Sequence, residues 1–231
     1  MEVEIWSDVA CPWCYVGKRR FEAALEQFEH SDDVTITWRS FELDPEAPTE
    51  REGDRAEHLA SKYGMSIEQA RQAEAQMTQT AAGEGLDFRF DVARAGNTFD
   101  GHRLVHLAKG HGLQDPMKER LLHAYFSEGE LISDHDALAR LAIEVGLPED
   151  EVRETLASDR YAADVRDDER TAHSFGISAV PTFVIDRQVG ASGAQPPEQL
   201  LGLLRQGWAQ RKPPVGVVVG ADGEACGVDG C

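Results

Sequence analysis

The sequence is short of three features that would each have assigned it to a special class of protein: long apolar segments, basic residues and cysteine. In its 231 residues, no apolar run approaches the roughly 18 residues that cross a membrane, so we expect no membrane association. The stretch "MEVEIW" has no basic region and no long apolar core, which predicts that there is no signal peptide. We therefore expect a cytoplasmic protein, whose thiols are kept reduced.

Basic residues are outnumbered by acidic ones. The chain has 23 lysine and arginine residues against 42 aspartate and glutamate residues, a formal net charge of -19. Nucleic acids and anionic membrane surfaces attract lysine and arginine, so this balance argues against both as partners. An acidic, lysine-poor surface is typical of proteins that work in high salt, where repulsion is screened, but it also occurs as an ordinary solvated surface. Both interpretations stay open.

The four cysteines form two close pairs, and the first pair, Cys11 and Cys14, encloses Pro12 and Trp13. A C-x-x-C pair can be half of a zinc site, a redox dithiol or two unrelated thiols. Proline suits the first turn of a helix, and a helix N-terminus favours a thiolate. The sequence thus predicts a redox dithiol, in which Cys11 is the exposed attacking thiol with a lowered pKa and Cys14 the buried resolving thiol.

The elements around this pair predict an α/β protein. "EVEIW" alternates as a strand does, a helical pattern follows Pro12, and "DVTITWRSF" is rich in β-branched residues, so the beginning of the chain predicts a βαβ unit. Near the other end, "PTFVID" and "QVGASGA" predict a hairpin that turns at Asp186–Arg187, before a last helix in "PPEQLLGLLRQGWAQ".

The middle of the chain, from Pro45 to Phe175, is predicted to be almost wholly helical. Ser66 and Gln69 form a capping box, Asp115 and Pro116 form a helix start, and one helix ends at Gly146. The predicted organisation is a first α/β part over residues 1–44, a helical insertion over 45–175, a second α/β part over 176–211, and a Gly- and Pro-rich tail over 212–231.

Four segments resemble the DsbA-like family, and more specifically its FrnE-like branch. They are "SDVACPWCYVGKRRFE", "GNTFDGHRLVHLA", "HAYFSEGELISD" and "ISAVPTFVID…SGAQPPEQL", in the family's order. The resemblance implies a thioredoxin fold interrupted by a large all-helical insertion, and a thiol–disulfide oxidoreductase that exchanges disulfides through Cys11 and Cys14. Kappa-class glutathione transferases and 2-hydroxychromene-2-carboxylate isomerases share this architecture.

The resemblance also implies further site residues. Pro181 corresponds to the cis-proline that thioredoxin-fold proteins place opposite the cysteines, and it would turn the backbone of Val180 towards an extended substrate. Asn97 and His102 are expected to line the cleft, with Trp13 as an uncharged neighbour. The implied partners are protein or small-molecule thiols and disulfides, and no cofactor is implied beyond glutathione as a co-substrate. The oligomeric state stays open.

The sequence departs from the wider thioredoxin pattern at one position. Many thioredoxin-fold enzymes bury a carboxylate six residues before the attacking cysteine, and this chain has Ile5 there. Asp8 is nearer, in a predicted loop, so the acceptor of the Cys14 proton is left open. His102 and His106 have the i, i+4 spacing of a metal site, but no H-E-x-x-H motif completes it, and we expect structural or substrate-lining roles with no metal.

Two rival functions and the second cysteine pair complete the predictions. A glutathione-dependent transferase or isomerase acting on small aromatic compounds is disfavoured, because such relatives usually have serine at the position of Cys11. A zinc-binding structural protein would use all four cysteines. Cys226 and Cys231 form a second redox pair that relays electrons to the first, or they belong to a passive tail; removing the tail before Cys226 separates the two.

Overall fold

The computed structural model describes residues 1–211, and the strands of this part form one mixed sheet with the order β2-β1-β3-β4. Its strands are β1 (Glu2–Ser7), β2 (Thr35–Ser40), β3 (Thr182–Ile185) and β4 (Val189–Ser192). β1 and β2 are parallel, whereas β3 is antiparallel to both β1 and β4. The predicted βαβ unit and hairpin are thus confirmed, and the sheet joins the beginning of the chain to its last described part.

The hairpin turn lies where the sequence predicted it. Asp186 and Arg187 have φ angles of 45° and 54°, so both central residues of the turn are left-handed. Turns of this kind follow the right-handed twist of the two strands that they join. Arg187 also donates to the buried carboxylate of Glu4 on β1 at 2.7 Å, which fixes the turn against the sheet.

Helices fill most of the remaining described chain. Their bounds are α1 (Pro12–Glu26), α2 (Arg55–Tyr63), α3 (Ile67–Gly83), α4 (Phe99–Gly110), α5 (Gln114–His123), α6 (His135–Val145), α7 (Glu149–Ala157), α8 (Ala162–Ser174) and α9 (Pro197–Gln210), with one turn of π-helix at Ala124–Glu128. None of these described helices is long and apolar enough to cross a membrane.

Local helix signals were predicted with mixed success. The Ser66–Gln69 capping box is present, and Gly146 ends α6 in the left-handed conformation with φ 103°. The predicted helix start at Asp115 is wrong, because Leu113 is the N-cap of α5. The Asp115 carboxylate instead accepts from Trp38 Nε1 at 2.9 Å.

The expectation of almost continuous helix from residue 45 to 175 is too broad. Residues 45–54 and 86–97 are not helical. In the second stretch Phe88 is buried and stacks on Phe126, with ring centroids 4.5 Å apart. Residues 86–97 lack the hydrogen-bond ladder of a helix, and the packing of Phe88 on Phe126 fixes their position instead.

Two apolar clusters of the described chain position the site. The larger one extends from the sheet into the helical block, with Ile5 of β1, Phe21 of α1 and Leu121 of α5 among its members. The smaller one contains Trp6 together with the cysteines. Ile5 and Trp6 are adjacent on β1 and point to opposite faces of the sheet, so each belongs to a different cluster. Helix α1 contributes to both clusters, with Cys14 in the smaller one and Phe21 in the larger one.

Candidate active site

The Cys11–Cys14 pair opens α1, as the sequence predicted. Cys11 is the N-cap residue and Pro12 begins the helix. The Cys14 amide donates to the Cys11 carbonyl at 3.0 Å, and both cysteines are free thiols. However, the expectation of an exposed Cys11 is wrong: its exposed fraction is 4%, against 1% for Cys14.

The loop before β3 covers Cys11. The Cys11 thiol donates to the Val180 carbonyl, with Sγ and O 3.7 Å apart. The Val180–Pro181 peptide bond is cis, which confirms the conformation expected of Pro181. Because Thr182 pairs with Trp6 in the sheet, this loop is held beside the cysteines although it lies far away in the sequence.

The two thiols do not ionise independently. A hydrogen bond with Cys14 raises the pKa of the Cys11 thiol well above its usual value, and burial acts in the same direction. Burial also acts to raise the pKa of Cys14, but the Cys11 hydrogen bond and the charge of Lys118 outweigh it, so that this pKa is lowered. The pair therefore gives up its first proton more easily than a lone thiol does, and it holds the second more tightly. The expected lowering is found at Cys14, not at Cys11.

Lys118 is a site residue that the sequence analysis did not single out. It belongs to α5 and is 1% exposed. Its ammonium donates to the Ser7 carbonyl at 3.2 Å and lies 5.7 Å from the centre of the Trp38 ring. Burial lowers its pKa to about 8, against the opposing charges of Cys14 and Asp8. The sequence signal for its inward position is that Met117, Leu121 and Leu122, which lie beside it on the helix, are apolar; all three are fully buried.

Asp8 and His102 form a buried pair behind the cysteines. Asp8 Oδ2 accepts from the Leu43 amide at 2.8 Å, and Asp8 Oδ1 lies 3.3 Å from His102 Nε2. His102 is 1% exposed and is absent from the lining of the cleft beside Cys11. His102 is therefore not found at the cleft wall where it was expected, because its ring is directed to Asp8, and a role in substrate binding stays a prediction. Asn97 is absent from the lining too, since its side chain oxygen accepts from the Phe99 amide.

The two histidines at i, i+4 do not form a metal site. His106 Nε2 lies 3.0 Å from Asp168 Oδ2, whereas His102 faces Asp8. Within residues 1–211 no group of three or more His, Cys, Asp or Glu side chains could hold a metal ion. The spacing thus reflects two separate buried histidine–carboxylate pairs.

A cleft of about 550 Å³ opens beside Cys11. Its apolar walls come from α1 and from the α2–α3 helices. Lys62 adds positive charge there, whereas Arg51 and Arg55 also line the cleft but are paired with Asp44 and Glu74, each at 2.9 Å. Trp13 is 46% exposed and lines the cleft next to Cys11. The larger apolar lining residues include Pro12, Trp13, Leu59, Met65, Met77 and Phe90.

The second cysteine pair lies outside the described residues. Cys226 and Cys231 follow residue 211, where the description ends. The relay from this pair to Cys11, the passive tail and the zinc site with four cysteines therefore stay predictions.

A dithiol that opens a helix, beside a cis-proline and on a thioredoxin-type sheet with a helical insertion, is the arrangement of a thiol oxidoreductase. The model of the DSBA-like thioredoxin domain matches residues 2–205, so the chain belongs to this family. The thioredoxin fold with a helical insertion that the resemblance implied is thereby confirmed.

Three relatives illustrate the range of similarity. A Streptomyces coelicolor protein named as a probable DsbA oxidoreductase is 46% identical, with a TM-score of 0.89, over 100% of this chain and 98% of its own. The uncharacterised protein YwbO of Bacillus subtilis (strain 168) is 29% identical over 84% of this chain and 92% of its own. The cytosolic disulfide reductase DsbM of Pseudomonas aeruginosa, solved with GSH, is 18% identical with a TM-score of 0.65, over 90% of this chain and 100% of its own. The last likeness shows the fold alone.

Proposed function

We propose that this protein is a protein disulfide oxidoreductase in which Cys11 attacks the substrate and Cys14 resolves the mixed disulfide. One observation carries the proposal: Cys11 lines the open cleft and its thiol contacts the Val180 carbonyl, whereas Cys14 is absent from the cleft lining and lies within the helix. A substrate sulfur that enters the cleft therefore meets Cys11 first.

The reaction follows from this placement. The two thiols share one proton through their hydrogen bond, and when Cys14 holds that proton the sulfur of Cys11 is the thiolate. This Cys11 thiolate attacks one sulfur of the substrate disulfide, a Cys11–substrate S–S bond forms, and the other substrate sulfur leaves as a thiolate that takes up a proton. Cys14 then attacks Cys11, and the bound substrate thiol leaves with the proton that Cys14 gives up. The substrate has gained two electrons and two protons, and the protein holds a Cys11–Cys14 disulfide, which a small thiol such as glutathione reduces again.

The cleft supports small thiols and disulfides as partners besides proteins. Its size lies in the range of small-molecule sites, and Lys62 adds a positive charge for an anionic group near the rim. We infer a cytoplasmic location, where a glutathione-type thiol pool is available. The structure of DsbM with GSH is a precedent for such a partner in a protein of this fold.

Reduction of insulin disulfides by purified protein and a thiol reductant tests the proposal. Cys11→Ser should abolish turnover, and Cys14→Ser should accumulate a mixed disulfide at Cys11 that mass spectrometry detects. Alanine at the solvent-exposed Ser61, outside the site, serves as the matched control. Full activity of Cys11→Ser, or a mixed disulfide at Cys14 in its place, would contradict the assignment.

The apolar cleft also supports a second candidate function, that of a glutathione-dependent transferase or isomerase for small aromatic compounds. In that case the cysteine at position 11 would activate glutathione and would not cycle through a disulfide. Cys14→Ser separates the two functions, because it should block insulin reduction but leave a glutathione-dependent isomerisation of an aromatic substrate intact.

A further inference from the structure

Lys118 is a buried lysine without a carboxylate partner. Within residues 1–211, no carboxylate oxygen lies within 4.0 Å of its ammonium, whose hydrogen bond goes to the neutral Ser7 carbonyl. Removing an ammonium from water is costly unless an opposite charge compensates it. A negative charge near Lys118 would therefore be strongly favoured.

Lys18 provides the comparison within the same protein. It is 2% exposed and contacts the carboxylates of Glu22, Asp115 and Glu119, the last at 3.0 Å. Both lysines are buried to the same degree, but only Lys18 is neutralised by its direct contacts. One buried lysine of this protein is thus paired with carboxylates, whereas the other, Lys118, is not.

The charged and titratable groups that face Lys118 are few. They are Cys14 and Cys11 at the start of α1 and Asp8 in the β1–α1 loop, and His102 of α4 stands behind Asp8. The Asp8 carboxylate already accepts hydrogen bonds from the Leu43 amide and contacts His102. The charge that appears and disappears during the reaction is the thiolate of the cysteine pair.

We propose, on the basis of the function inferred above, that Lys118 is a positioning residue whose buried ammonium stabilises the thiolate of the Cys11–Cys14 pair. It acts through space and not by direct proton transfer, because its hydrogen bond goes to Ser7. This chain has Ile5 where many thioredoxin folds bury a carboxylate, and Lys118 of the helical insertion instead brings a positive charge to the Ser7 carbonyl. No further proton acceptor is required, since the departing substrate thiol takes the proton of Cys14.

The charge of Lys118 stabilises only one of the two redox states. The reduced pair carries a thiolate that the ammonium attracts, whereas the Cys11–Cys14 disulfide is neutral and gains nothing from it. Lys118 therefore favours the reduced pair, and the loss of Lys118 should shift the dithiol–disulfide equilibrium towards the disulfide. The reaction itself is unchanged in its atoms and electrons; only the balance between its two end states is altered.

Two variants remove the charge in different ways. Lys118→Gln keeps a hydrogen-bond donor for the Ser7 carbonyl, whereas Lys118→Met keeps only an apolar side chain of similar length. Lys18→Gln is the control at the other buried lysine. Thiolate formation is followed by ultraviolet absorbance of the reduced protein against pH, and the dithiol–disulfide balance by equilibration with glutathione buffers. Both Lys118 variants should form the thiolate about one pH unit later, a tenfold loss of thiolate near neutral pH. Their equilibrium should move about tenfold towards the disulfide, which corresponds to about 30 mV.

Unchanged titration and equilibrium in folded Lys118→Gln would overturn the proposal, as would equal shifts in Lys18→Gln. If neither Lys118 variant folds, nitrogen NMR of the wild-type protein decides: the Lys118 ammonium should titrate at higher pH in the reduced than in the disulfide form, and equal midpoints refute the role. None of these measurements depends on turnover. Failure of insulin reduction by the wild-type protein would count against the proposed function alone.

Discussion

Gly17 of α1 and Pro181 of the loop before β3 are packed so closely that no side chain fits between them. A Cβ atom on Gly17 would lie 2.8 Å from Pro181 Cγ and 3.5 Å from the Ala194 methyl. Pro181 follows Val180, whose carbonyl contacts the Cys11 thiol. The glycine in the second turn of α1 thus sets how near this loop comes to the cysteines.

Gly17→Ala should therefore impair both stability and activity. Overpacking costs about 1–3 kcal/mol, and the better helix propensity of alanine returns about 1 kcal/mol, so we expect a net loss of about 1 kcal/mol and roughly tenfold slower insulin reduction. Urea unfolding and the reduction assay measure the two effects. Gly202→Ala in α9 is the control, because a Cβ atom there meets nothing within 4 Å; equal behaviour of the two variants would contradict the packing argument.

Trp13 lies between the cysteines and carries no charge. We expect the wild-type couple in the thioredoxin and glutaredoxin range, about -200 to -270 mV, and mostly reduced at a cytosolic poise of about -220 to -320 mV. Trp13→His should make the couple more oxidising, because a protonated ring would stabilise the thiolate. Trp13 is half-exposed, so the protein should tolerate the change.

Equilibration with glutathione buffers measures this shift, with Trp13→Gln as the uncharged control that also removes the indole. The shift in Trp13→His should grow as the pH falls towards the histidine pKa of about 6.5. A wild-type potential above about -150 mV would refute the expected poise, and equal shifts in the two variants would exclude charge as the cause.

His102 should make the stability of the protein depend on pH. Burial lowers its pKa, and the hydrogen bond to Asp8 only partly opposes this, so the folded protein binds a proton at His102 less readily than the unfolded chain does. As the pH falls below the unfolded pKa of about 6.5, the free energy of unfolding should therefore decrease, by up to about 1.4 kcal/mol per pH unit.

His102→Gln should reduce this pH dependence, whatever it does to stability near neutral pH. Urea unfolding at neutral and mildly acidic pH gives the two slopes. His135, whose side chain is 53% exposed, is the matched position, and His135→Gln should keep the wild-type slope. An unaltered slope in His102→Gln would mean that another group is responsible.

Arg103 ends α7 by hydrogen bonds from another helix. Its guanidinium donates to the Arg160 carbonyl at 2.8 Å and also to the carbonyls of Thr155 and Ser158. Arg103→Met should remove a donor from the buried Thr155 carbonyl and from the two less buried ones, together with the Asp100 ion pair at 2.6 Å, and cost about 3 kcal/mol. Arg153→Met, which removes an exposed pair with Glu149 on the same helix, should cost less than about 0.5 kcal/mol. Thermal or urea unfolding checks the difference.

Features that depend on neighbouring residues could be predicted from the sequence. The Ser66 capping box, the end of α6 at Gly146 and the turn at Asp186–Arg187 each follow from a few adjacent side chains and their backbone preferences. The position of Cys11 at a helix start is of the same kind, because Pro12 indicates it directly.

Features that depend on distant parts of the chain could not be predicted in this way. Cys11 is buried by Val180, which is 169 residues away, and Lys118 reaches the site from α5, 111 residues beyond Ser7. The spacing of His102 and His106 indicated one shared site, but the packed protein provides each ring with its own carboxylate. Only the assembled tertiary structure determines such partners.

The same separation has a consequence during protein synthesis. Cys11 and Cys14 leave the ribosome long before Val180 has been made, and at about 5–20 residues per second the delay is on the order of ten to thirty seconds. For that time the nascent dithiol has neither the loop that covers it nor the sheet partner that holds the loop. A newly made chain is therefore open to oxidation and to stray disulfides at the two sulfurs that the finished protein shields.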